Sequence, residues 1–93
     1  REMNNITEFK LEQNYPNPFN PITSIEYRIS NIRFVTLKIF DMLGREVATL
    51  VNEKLVPGTY RADFNATALA SGVYFYRMQA GDYLQTRKLL LLK

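Results

Sequence analysis

Apolar residues in this chain recur at every second position, and that period limits its possible folds more than any other feature. Ile25, Tyr27 and Ile29 alternate with Ser24, Glu26, Arg28 and Ser30, and Val35, Leu37 and Ile39 with Thr36 and Lys38. Tyr60, Ala62 and Phe64 alternate with Thr59, Arg61 and Asp63, and Tyr74, Tyr76 and Met78 lie opposite Val73, Phe75 and Arg77. A period of two marks a strand with one face on a core. Turn residues punctuate these runs. Asp41-Met42-Leu43-Gly44 suits a type I turn closing a hairpin, with Gly44 left-handed. Pro57-Gly58 suits a type II turn with Gly58 at positive φ, and Gly81-Asp82 suits a tight hairpin. About seven strands are expected, near residues 8–12, 23–30, 34–41, 45–51, 59–64, 72–79 and 83–92. That spacing predicts an all-β, antiparallel β-sandwich rather than a sheet interleaved with helices.

The length of 93 residues fits one domain with one modest core. Six Tyr and six Phe supply large side chains for it, and with no Cys there is no disulfide to support it. The chain opens on Arg1 and has neither a charged-then-apolar leader nor a membrane-length apolar run. It therefore reads as a piece of a longer polypeptide, with residues 1–8 a linker end and residues 9–93 the domain. The net charge of +3 is scattered, its densest basic group being Arg87, Lys88 and Lys93. Without a basic stripe, no nucleic-acid partner is expected.

Two segments stand apart. In Asn14-Tyr15-Pro16-Asn17-Pro18-Phe19-Asn20-Pro21, each proline lacks an N–H and bars the segment from a central strand. The expectation is a stiff crossover, its Asn side chains bonded to local backbone and both rings, Tyr15 and Phe19, aimed inward. It reads either as a rigid connection or as a recognition surface. At the end, Lys88-Leu89-Leu90-Leu91-Leu92-Lys93 puts leucines on both faces of a terminal strand. A sandwich strand normally buries one face, so about two of the four lack a core position. Either the domain's own loops cover them, or the strand is offered to another protein by strand addition, self-association through the last strand included.

Chemistry is hard to place in this composition. Without His or Cys there can be no Ser-His-Asp triad, Cys-His dyad or His-ligated metal. No carboxylate pair is set for glycoside hydrolysis, and Gly44, Gly58, Gly72 and Gly81 are spread singly over turns and strand starts. No catalytic residue, metal or cofactor is expected. Asn5-Ile6-Thr7 and Asn65-Ala66-Thr67 match a short glycosylation pattern of little weight.

Leu11 through Pro21 resembles the opening of the type IX secretion C-terminal sorting domain, type A. The likeness continues in order. Thr23-Ser24-Ile25-Glu26-Tyr27 resembles that family's first core strand. Val35 to Asp41 with Leu43-Gly44-Arg45-Glu46-Val47 resembles its central hairpin. Ala70-Ser71-Gly72-Val73-Tyr74-Phe75-Tyr76-Arg77 resembles its signature strand, and Thr86 to Lys93 its basic and apolar end. The resemblance implies an immunoglobulin-like sandwich without catalytic activity, at the end of a secreted protein. Such a domain directs an upstream cargo from the periplasm across the outer membrane, to the medium or the cell surface. Its implied partners are the outer-membrane machinery and a sortase-like processing protease, with Lys88 and Leu89 to Lys93 as the recognised residues. An accessory immunoglobulin-like binding or spacer module on a surface enzyme is the alternative, using outward rings such as Phe34, Phe40 and Phe75.

Overall fold

A computed structural model describes residues 8–93. Of the expected linker end only Glu8, which is exposed, falls among them; Asn5-Ile6-Thr7 lies outside. Seven strands follow one another: β1 (Lys10–Leu11), β2 (Ile22–Ile29), β3 (Arg33–Phe40), β4 (Glu46–Leu55), β5 (Gly58–Asn65), β6 (Gly72–Ala80) and β7 (Tyr83–Leu91). They form two antiparallel sheets, of order β1-β2-β5 and β4-β3-β6-β7. This is an immunoglobulin-like sandwich with its fourth strand beside the third. No helix forms among the described residues.

Alternation along the strands builds the core. Ile25, Tyr27 and Ile29 of β2 face Val35, Leu37 and Ile39 of β3 and Tyr74, Tyr76 and Met78 of β6 across the sandwich, all buried. Tyr74 donates its hydroxyl to the Ala70 carbonyl at 2.7 Å. It thereby pins the β5–β6 connection to the start of β6, the arrangement known as a tyrosine corner. Ala66 and Leu69 anchor that connection against the core.

The turn after β3 forms as the residues suggest. The Gly44 N–H donates to the Asp41 carbonyl at 3.0 Å, and Gly44 sits at φ 82°. The Asp41 Oδ1 accepts from the backbone N–H groups of Leu43 and Arg45, both at 2.9 Å. These bonds, the Arg45 backbone N–H first, hold the Asp41 carboxyl below the usual range. Gly72 also has a positive φ, 152°.

Gly58 departs from expectation. It has no positive φ and is the first residue of β5, opposite Ile29. Leu55 to Gly58 carries the chain from one sheet to the other, so strand pairing rather than a type II turn sets its conformation. β4 also runs four residues past its expected end, to Leu55. Asn52, Glu53 and Lys54 there are exposed, and pairing with Thr36, Val35 and Phe34 holds them in the sheet without burial. Register shifts opposite Leu37/Lys38 and Ile39/Phe40 interrupt this outer strand. Bulges of that kind discourage edge-to-edge pairing.

Candidate interaction site at the last strand

β7 is the outer strand of the four-stranded sheet, and its leucines divide by face. Leu89 and Leu91 are fully buried, whereas Leu90 is half-buried and Leu92 is 51% exposed. Lys88 and Lys93 on either side are exposed. Two of the four leucines thus lie outside the core, as the run of four implies.

The backbone edge of β7 is less open than that reading supposes. The Phe19 N–H donates to the Leu90 carbonyl at 3.0 Å, and the Leu92 N–H donates to the Phe19 carbonyl at 3.0 Å. The Leu90 N–H donates to the Asn17 Oδ1 at 3.0 Å, and the Gln13 Nε2 donates to the Lys88 carbonyl at 2.8 Å. The Asn-Pro crossover therefore lies along this edge as a strap. Strand addition between Leu90 and Leu92, by a partner or a second copy, requires residues 17–19 to leave first.

A buried polar network fixes the strap. Asn14, 2% exposed, donates its backbone N–H to the Tyr76 hydroxyl at 2.8 Å. That hydroxyl donates to the Glu12 carbonyl at 2.7 Å. The Asn14 Nδ2 donates to Thr23 Oγ1 at 3.0 Å and to the Pro16 carbonyl at 3.1 Å, and Thr23 Oγ1 donates to the same carbonyl at 2.8 Å. Burial pushes the Tyr76 pKa up to about 12. All three bonds preceding Pro16, Pro18 and Pro21 are cis.

The two aromatic rings of the crossover part company. Phe19 bridges Leu91 and packs inward, 2% exposed, beside Phe64 with ring centroids 6.1 Å apart. Tyr15 corrects the expectation: it is 81% exposed. Its bridge partner Ser24 occupies an outward position between buried Thr23 and Ile25. Residues directly opposite in an antiparallel pair share a face, so Tyr15 must point out as well. Asn20 is exposed, and the Pro21 carbonyl accepts from the Ala66 N–H at 2.8 Å, tying the crossover's end to the β5–β6 connection.

The far end of β7 is fastened too. The Lys93 N–H donates to Ser71 Oγ at 2.9 Å, and Lys93 Nζ donates to the Thr67 carbonyl at 2.6 Å. Ser71, read from sequence only as part of the signature strand, thus holds the last residue. The structure brings Asn17, Phe19, Ser71, Gly72 and Tyr74 directly against the closing residues, and Asn14 and Tyr76 fasten the strap that lies along them; Gly44 and Gly58 lie elsewhere.

The family model of the secretion system C-terminal sorting domain matches residues 13–92. The chain belongs to that family. No curated protein matches it. The match takes in the strap, the network residues Asn14, Pro16, Thr23 and Tyr76, all of β7, and Leu92 just past it. A type IX sorting domain is a signal, generally without catalysis, fused to a cargo upstream and acting in export to the cell surface or beyond. The described residues of this sorting domain include no group of three or more His, Cys, Asp or Glu that could hold a metal ion. A surface concavity of about 440 Å³ contains Glu12 and Glu26. Glu12 is engaged there by Lys10 and Arg28 at 3.5 and 3.8 Å.

Proposed function

We propose that this sorting domain delivers an upstream cargo from the periplasm through the type IX machinery across the outer membrane, and that the machinery reads Lys88 to Lys93. We also infer that the domain performs no reaction of its own, that no cofactor serves it, and that a sortase-like protease of the system processes the cargo.

One observation carries the reading of the site. Leu90 and Leu92 turn away from the core, between exposed Lys88 and Lys93, on a strand whose other two leucines are locked inside. The inner pair and the strap hold the strand still, and the outer leucines and flanking lysines are presented on it. A partner reading side chains can use them while the backbone edge stays occupied. Apolar side chains ringed by charge are a common form of protein recognition surface.

Fusion to a neutral periplasmic protein tests the sorting role: the fusion should leave the cell, and the protein alone should not. Deleting Leu89 to Lys93 should trap it, but removes two core leucines. The sharper variant is Leu90→Asp with Leu92→Asp, which keeps the inner pair. It should remain folded and stay in the periplasm. Export of this folded variant at the normal rate would contradict the assignment of these residues.

A further inference from the structure

The two outer faces of the sandwich differ in charge. On the three-stranded face Lys10, Arg28 and Arg61 meet Glu12, Glu26 and Asp63, three of each sign. Lys10 and Arg28 pair with Glu12, and Arg61 pairs with Asp63 at 3.5 Å. On the four-stranded face Lys38, Lys54, Arg77 and Lys88 stand against Glu46, which Lys38 pairs at 3.4 Å, and against Asp41 of the turn after β3. The same face presents half-buried Phe40, Val73, Phe75 and Leu90. Phe40 and Phe75 are directly opposite each other, and the Arg77 guanidinium lies 4.5 Å from the Phe40 ring centroid.

These residues shape two grooves along the β6–β7 seam. One, about 290 Å³, is lined by Phe40, Asp41, Met42, Phe75, Arg77 and Thr86. The other, also about 290 Å³, is lined by Gln13, Asn17, Val73, Lys88 and Leu90. Register places Arg77 opposite Thr86, Phe75 opposite Lys88, and Val73 opposite Leu90. Along β7 the first groove is lined at Thr86 and the second at Leu90, four residue steps of about 3.3 Å or roughly 13 Å apart along the strand, with Lys88 between them on the rim of the second.

We propose that this face binds an extended segment of a partner protein that presents an apolar, an acidic and an apolar side chain at alternate positions. Residues i, i+2 and i+4 of an extended chain point the same way over the same 13 Å or so. The outer two would fill the grooves, and the central carboxylate would meet Lys88. The charge excess selects an acidic occupant over a second copy, which would set one basic face against another. Two separate concavities fit side chains better than a lipid plane. The proposal rests on the sorting reading only in taking the partner to belong to the export machinery.

The test uses the 93-residue chain, labelled with nitrogen-15, and a synthetic nine-residue peptide centred on Leu-Thr-Glu-Thr-Leu. Peptide addition should shift the amide signals of Phe40, Val73, Phe75, Lys88 and Leu90, leaving Glu26 and Arg61 unmoved. Lys88→Glu, with an exposed side chain and an unchanged melting temperature, should weaken binding about tenfold and gain a similar factor for the peptide with Lys in place of Glu. No shifts on this face, or a Lys88→Glu variant indifferent to the peptide's charge, overturns the proposal. So does a preference for phosphatidylglycerol vesicles, or shifts that follow protein concentration instead of peptide. A chain that exports its fusion yet ignores the peptide leaves the sorting role standing and removes this face from it. A chain that passes the charge swap yet fails to export its fusion does the reverse.

Discussion

Replacing Tyr76 by Phe asks whether one hydroxyl holds the strap to the core. The ring is fully buried and keeps its packing in Phe. What disappears is the acceptor for the Asn14 N–H at 2.8 Å and the donor to the Glu12 carbonyl at 2.7 Å. A buried N–H without a partner costs about 1–3 kcal/mol, and the half-buried carbonyl adds less than about 1. The expected loss is about 2–3 kcal/mol, or roughly 10–20 °C in Tm for a domain of this length. Urea denaturation of the two proteins at about pH 8 measures it. Tyr74→Phe is the control, since its hydroxyl bonds one carbonyl in an exposed corner, and it should lose about 1 kcal/mol. Alkaline pH supplies an independent check. The folded Tyr76 pKa is raised from 10.0 to about 12, so the unfolded chain releases this proton first. Stability from this group is intact below about pH 10 and is lost as pH rises toward 12, by roughly 2–3 kcal/mol. Tyr76→Phe lacks that loss, so the gap between the two proteins should narrow over the interval. A variant within about 0.5 kcal/mol of the parent at pH 8, or a gap that does not change with pH, refutes the role given to this hydroxyl.

Other outcomes follow from the same contacts. Leu91→Ala should destabilise the domain by about 3 kcal/mol in chemical denaturation and Leu92→Ala by less than about 0.5, because only the first empties a core site. Thr23→Val strips a buried hydroxyl from Asn14 and Pro16, and should lower stability by about 1–3 kcal/mol while the amide signals of residues 14–17 shift. The Asp41 pKa is lowered from 3.8, so its contribution is present above that value and disappears as the pH falls through the folded pKa. Acid titration of Tm should show this decline in the parent and a shallower one in Asp41→Asn. Gly44→Ala forces a Cβ into φ 82° and should cost about 1 kcal/mol in the same denaturation assay, although nothing lies within 4 Å of the added atom.

Residues whose environment is set by alternation are legible in the sequence. Tyr74, Tyr76 and Met78 had to share a face, and so did Leu89 and Leu91, because the pleat leaves no other choice. The Asp41–Gly44 turn was equally local, depending on one side chain and one glycine. The strap was not legible, since its bonds join Asn17 and Phe19 to Leu90 and Leu92 far apart in sequence, and those of Phe19 run through backbone groups common to every residue. Tyr15 misled because an aromatic ring beside prolines suggests burial, and only its pairing with outward Ser24 decides its face. Gly58 misled because Pro-Gly favours a turn in isolation, while pairing with Ile29 demands extended backbone. The residues Asn52 to Lys54 gave no strand signal, since an outer strand can be held by its ladder without burying anything.

The ties between Gln13 and Lys88, Leu11 and Arg87, and Asn17 and Leu90 span 75, 76 and 73 residues. Nearly the whole chain must be synthesised before they can close, so its pairing is dominated by distant partners and belongs to the slower class of folds. A ribosome that stops short yields a product lacking both the inner leucines and the edge on which the strap lies. Completion of β7 and closure of the strap are therefore a single event, and a product cut short of β7 never acquires the finished fold.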